Sequence, residues 1–188
     1  QGAAWADMSL LRRGPGGEVV HPRYARCDAI RAVVSAFAAK PIDVLLARLN
    51  PGGRIKEHRD FSGSTPMGVT RFHIPITTHG KVDFRVSGTR VGMRPGSVWH
   101  LDTSYLHSVA NDSQRPRVHL IVDFETNPAI RRMLPPLEFA DVLHRAHFFG
   151  LCAVRGSSLM FRDPRQVLVR VRSAIELRIH KRSIVDLV

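Results

Sequence analysis

His58, Asp60, His107 and Arg117 are the residues of this chain whose types and spacing could do chemistry. Only Arg59 separates the first two, and on an extended segment residues i and i+2 point the same way. Both can then reach one metal ion, and His107 adds a second imidazole if the fold brings it alongside. Two imidazoles and one carboxylate can hold Fe(II) on one face and leave the opposite positions open. Arg117, ten positions beyond His107, carries a planar fork that clamps a carboxylate. An open iron site with a carboxylate clamp suits oxygen activation with a 2-oxo acid as co-substrate. Taken alone, His-x-Asp also describes a solvated histidine beside a surface aspartate, so the spacing leaves both readings open.

The elements that must position these residues are legible from hydrophobic period and turn residues. Arg23 to Lys40 reads as a helix, with Cys27, Ile30, Val33/Val34 and Phe37/Ala38 at helical spacing and Lys40-Pro41 as its stop. From Asp43 the period changes. Val44 to Leu49 reads as a buried strand closed by Asn50-Pro51-Gly52-Gly53. Strand-like runs follow at Arg54–His58, Val69–Thr78, Lys81–Ser87, Ser97–Leu101 and Arg117–Phe124. They are separated by Ser62–Pro66, His79-Gly80, Arg94-Pro95-Gly96 and Asn111–Pro116. Short strands at such intervals predict a mainly β fold, a sandwich or barrel such as a jelly roll. Helical period returns over Leu137–Phe149, and a second helix is expected from Asp163-Pro164, with Val167, Val171, Ile175 and Ile179 as its apolar stripe. The expected organisation is a core over residues 1–128 and a helical region over 129–188 packed on it. There is no internal repeat.

Composition narrows the partners. The chain has 188 residues, 44% hydrophobic, enough for one domain with a core and a small appendage. Its longest apolar candidate, Val33 to Ala39, is far short of a membrane span. Two cysteines, Cys27 and Cys152, make no disulfide framework, which points to a reducing, cytoplasmic setting. Of the net charge of +12, half falls in residues 129–188, with 11 Lys/Arg against 5 Asp/Glu. Basic proteins often meet polyanions. No zinc-finger spacing, aromatic RNA-binding signature or Lys-rich tail accompanies the charge, so a solvated basic face is the reading preferred over a nucleic-acid partner.

Three separate blocks then carry a family resemblance: Leu46-Ala47-Arg48-Leu49 with His58-Arg59-Asp60, Arg71-Phe72-His73-Ile74-Pro75-Ile76, and the stretch from Pro95 through His107 to Arg117–Phe124. Together they resemble the aspartyl/asparaginyl β-hydroxylase family of Fe(II)/2-oxoglutarate dioxygenases, most closely its bacterial proline hydroxylase branch, which includes L-proline cis-hydroxylases. The resemblance spans about residues 5 to 124; Arg145–Phe149 is similar, less specifically, to the helical C-terminal part of that branch. Animal aspartyl/asparaginyl β-hydroxylases lack the metal-binding carboxylate, whereas Asp60 is present here. The chain starts at Gln1, and relatives have more residues before the segment matching Trp5 to Arg12. Part of the outer sheet or of a substrate lid is therefore expected beyond this sequence.

The resemblance implies a double-stranded β-helix (cupin-like) core with an N-terminal helix and a small C-terminal helical appendage. It implies His58, Asp60 and His107 as iron ligands and Arg117 at the distal carboxylate of 2-oxoglutarate. His73 is implied near the keto-acid end, and Arg71 at the substrate carboxylate. It also implies O2 as co-substrate and ascorbate as a reductant in vitro. Arg48 and Trp99 are further candidates for the substrate pocket, each with an ordinary alternative as a surface and a core residue. Asp102 either orients His107 or caps a turn. The expected activity is hydroxylation of an unactivated C–H in an amino acid, proline or another, with 2-oxoglutarate converted to succinate and CO2. A residue in a short peptide or on a carrier is an alternative substrate, and a non-catalytic metal-binding cupin an alternative protein. Oligomeric state is not legible.

Overall fold

The computed structural model describes residues 4–61 and 63–162. Among these described residues, ten strands form two antiparallel sheets. The larger contains β1 (Trp5–Gly14), β2 (Gly17–Val20), β3 (Pro41–Leu49), β5 (Val69–Thr77), β8 (Trp99–Leu101) and β10 (Arg117–Glu125), in the order β2-β1-β3-β10-β5-β8. The smaller contains β4 (Arg54–His58), β6 (Val82–Val86), β7 (Thr89–Arg90) and β9 (His107–Asn111), in the order β4-β9-β6-β7. This is the mainly β architecture expected of a double-stranded β-helix.

Strand alternation sorts the core into two layers. On the outer face of the large sheet, Val44, Phe72, Ile74, Leu120 and Val122 join Leu10, Val34, Phe37, Phe124 and Ile130 in one buried cluster. On its inner face, Leu49 and Leu101 meet Val82, Phe84 and Val109 of the small sheet, with Met93 from the loop after β7. With both faces covered, β10 is buried along almost its whole length. Every second residue of β10, from Arg117 through His119 and Ile121 to Asp123, faces the interior between the sheets.

The helix expected over Arg23 to Lys40 is two shorter ones, α1 (Pro22–Ala25) and α2 (Asp28–Ser35). Cys27 leaves helical geometry at φ −108, ψ 86 and starts α2 afresh. After Ser35 the chain bends so that the Phe37 ring reaches Phe72 and Phe124, at centroid distances of 4.9 and 4.7 Å. Burying that ring outweighs one more helical turn. The β1–β2 hairpin, joined through Pro15-Gly16 with Gly17 at φ 103, lies ahead of both helices. Its charged pair Arg13–Glu18 and exposed β2 hide the period-two signal. β9 is likewise masked by its Ser, Ala and Asn.

The chain divides into a unit ending at Pro136 and a second beginning at Leu137. α3 (Pro128–Arg132) belongs to the first, with Ile130 fully buried in its core. In the second, the helix expected over Leu137–Phe149 is α4 (Phe139–Arg162). The helix expected from Asp163, with Val167, Val171, Ile175 and Ile179, lies outside the described residues, as does Ser62 of the expected turn. Among the described residues no helix is long and apolar enough to cross a membrane.

Candidate metal centre

β4 ends at His58 and β9 begins at His107, and the antiparallel register sets the two opposite each other. Their ring centroids are 4.3 Å apart. Asp60 follows one residue beyond Arg59, its N–H donating to the Thr103 carbonyl at 2.9 Å. Arg59 itself points away and donates to the Ser104 carbonyl at 2.7 Å. Ligand atoms of His58, Asp60 and His107 all lie within 4.8 Å of one another, and His58 Nε2 is 3.6 Å from Asp60 Oδ1. Donor atoms grouped this closely are those that would hold one metal ion.

Both imidazoles are oriented by the backbone. Nδ1 of His58 lies 2.8 Å from the Lys56 carbonyl, and Nδ1 of His107 lies 3.0 Å from the Tyr105 carbonyl. A carbonyl only accepts, so each Nδ1 carries a proton and each Nε2 is left for another partner. Burial lowers the His107 pKa; the Tyr105 hydrogen bond works against that, and the neighbouring His58 adds to it. The ring is therefore held neutral, as a metal ligand must be. Asp102 does not orient His107: its Oδ1 accepts the Ser104 N–H at 3.0 Å and caps the turn.

Asp60 has a second partner. Arg71 donates Nη1 to Asp60 Oδ2 at 2.8 Å. Its Nε and Nη2 form a fork onto Asp123, both at 2.7 Å, across the β5–β10 register that pairs Arg71 with Asp123. Burial acts to lower the Arg71 pKa, but the Asp123 hydrogen bonds and the charges of Asp123, Asp60 and Asp43 more than offset it. Arg71 stays a cation held between two carboxylates.

Arg117 is the opposite case. It is 1% exposed, and no carboxylate of the described residues pairs with it. Nη2 donates to His119 Nδ1 at 2.7 Å, the guanidinium carbon stands 5.6 Å from the Phe84 ring centroid, and Nε has no partner. Desolvation pushes its pKa down to about 9. His119, buried and beside that cation, is pushed down to about 2. His73, 3.4 Å from His119 between their Nδ1 atoms, is held well below the ordinary range by burial and then by Arg117. The Arg71 charge acts in the same direction, and His73 sits on β5 cross-strand from Ile121 of β10. A buried cation flanked by neutral rings lacks only an anion.

Trp99 is the cross-strand neighbour of His73 and packs in the inter-sheet cluster, its indole N–H donating to Ser97 Oγ at 2.7 Å. Arg48 is not brought to this interior. It is exposed, and alternation in β3 puts it on the face opposite Ala47 and Leu49. Two residues that spacing did not single out, His119 and Asp123, stand in the interior. The available signal was parity: an inward Arg117 on a strand carries 119 and 123 inward as well.

The family model described as aspartyl/asparaginyl beta-hydroxylase matches residues 1–127. The chain belongs to that family. The match takes in His58, Asp60, Arg71, His73, His107, Arg117 and Asp123. Among solved structures, an oxidoreductase of the 2OG-Fe(II) oxygenase family from Burkholderia pseudomallei is similar at a TM-score of 0.50 and 12% identity. That alignment covers 65% of this chain and 68% of that one. A Cupin_2 domain of an XRE family transcriptional regulator from Enterobacter cloacae aligns at 15% identity and a TM-score of 0.41, covering 66% of this chain and all of that one. No curated protein matches. For this beta-hydroxylase family member the donor set fits iron: two imidazoles and one carboxylate.

Proposed function

We propose that this protein is an Fe(II)/2-oxoglutarate-dependent hydroxylase acting on an unactivated C–H of an amino acid, proline or another free amino acid. The observation that carries the reading is the pairing of a His58-Asp60-His107 donor set with the buried, anion-less Arg117 in one interior. His58 and His107 would hold the metal through Nε2, and Asp60 through Oδ1. Bound there, iron supplies oxygen activation coupled to decarboxylation of 2-oxoglutarate to succinate and CO2.

The chain's own part is position and a dry pocket. Arg117 binds the distal carboxylate of the co-substrate, recovering the hydration that burial removed. His119 fixes the guanidinium by accepting from Nη2. His73, neutral and on the same face, offers a hydrogen bond without a competing charge. Phe84, Leu101 and Val109 exclude water around them. Free Cys27 and Cys152, together with a metal that must stay ferrous, suit the reducing cytoplasm.

The test is anaerobic addition of Fe(II) and 2-oxoglutarate, followed by oxygen with a panel of amino acids and short peptides. The expected result is a visible metal-to-ligand charge-transfer band, then succinate and a product heavier by one oxygen. No band and no succinate with any substrate would overturn the assignment and leave a metal-binding cupin. A product only from peptides would move the substrate from free amino acid to residue.

A further inference from the structure

We infer that Arg71 and Asp123 are positioning residues for Asp60, dividing its two oxygens so that only one is available to a metal. The inference rests on the iron reading above and deepens it. Asp60 Oδ2 takes the hydrogen bond from Arg71 Nη1 at 2.8 Å, while Oδ1 faces His58 Nε2 at 3.6 Å. A free carboxylate beside two imidazoles could turn and bind through both oxygens, consuming a position that co-substrate or oxygen requires. With Oδ2 engaged, Asp60 offers a single donor.

Arg71 can do this because it is itself immobilised. Its Nε and Nη2 lock onto both oxygens of Asp123, its direct cross-strand neighbour, whose side chain is only 9% exposed. A planar fork held on one side leaves Nη1 aimed in one direction. The close packing extends to Gly63, where a Cβ would stand 3.4 Å from Arg71 Nη2. Three of the five Arg71 N–H donors, one on each nitrogen, meet carboxylates of this chain.

The experiment is titration of the apoprotein with Co(II), a redox-stable probe whose visible d–d bands report coordination number. Wild type, Asp123→Asn and Asp123→Glu are compared, each checked for folding by circular dichroism. Asp123→Asn is expected to bind Co(II) 10- to 100-fold more weakly, the usual effect of removing a group that orients a ligand. Its d–d bands should also change shape. Asp123→Glu, which returns a carboxylate to Arg71, should recover most of both. If Asp123→Asn does not fold, Arg71→Lys keeps the charge but loses the fork, and the same two changes are expected. Wild-type affinity and unchanged bands in a folded variant overturn the inference while leaving the iron site standing. Failure of wild type to bind Co(II) overturns the iron reading itself, and this inference with it.

Discussion

Arg117→Met should stabilise the apoprotein and abolish its response to 2-oxoglutarate. Burial lowers the Arg117 pKa from 12.5 to about 9, and a depression of that size corresponds to about 5 kcal/mol of unfavourable charge burial. Because about 9 is still above neutral pH, the residue is charged in both folded and unfolded protein at pH 7, and the whole penalty falls on the folded state. Methionine removes the charge and fills much of the space with an apolar chain. The loss of the donor to His119 Nδ1 gives back about 1–2 kcal/mol. The net expectation is a gain of about 3–4 kcal/mol, or a melting temperature higher by about 6–16 °C. Thermal unfolding with Mn(II) as a redox-inert metal, with and without 2-oxoglutarate, checks both halves. Wild type should gain about 2.7 kcal/mol when the co-substrate is at a hundred times its dissociation constant, and the variant essentially nothing. A variant that melts below wild type and is still stabilised by 2-oxoglutarate would refute the idea that Arg117 waits for that carboxylate.

Removing a ligand should separate metal from fold. His107→Ala and Asp60→Ala are expected to lose substrate-coupled succinate formation at least a hundredfold while keeping a cooperative melt, and wild-type turnover in either would remove that residue from the ligand set. His119, pushed down to about 2, and His73, pushed down in the same direction, bind protons only when the chain unfolds. Their stability is thus complete above pH 6.5 and falls as pH drops below it, by up to about 2.7 kcal/mol per pH unit for the pair. Urea midpoints at pH 7.5, 6.5 and 5.5 measure the slope, and His119→Gln should halve it; a flat profile contradicts the burial of neutral rings. Asn111 is fully buried, donating to the Leu49 and Arg115 carbonyls at 3.0 and 2.9 Å and accepting from Ser113 Oγ at 2.7 Å. Asn111→Ala removes those bonds from the turn that leads into Arg117, and calorimetry should show a loss of about 2–4 kcal/mol.

The helical expectation for Arg23 to Lys40 shows where local pattern stops. The apolar spacing is there, but Phe37 is drawn to Phe72 and Phe124, partners far along the chain that no window over the helix contains. The β1–β2 hairpin leaves no local pattern for a related reason. Its outer strand is exposed throughout, so burial never wrote an alternating pattern into it.

The sequence by itself determined the identity of the donors: two histidines and an aspartate on or beside strand ends, and an arginine at the start of a buried strand. It also determined the period-two runs that make those strands, because alternation is a local property. The fate of each arginine was decided only by the tertiary structure. Arg48, Arg71 and Arg117 are the same residue type in similar strand contexts, yet one is exposed, one is held between two carboxylates, and one is buried without an anion. That difference comes from face parity and from cross-strand register, which sets Arg71 beside a carboxylate 52 positions away. Charge is written residue by residue, but desolvation and counterions belong to whichever strand lies opposite.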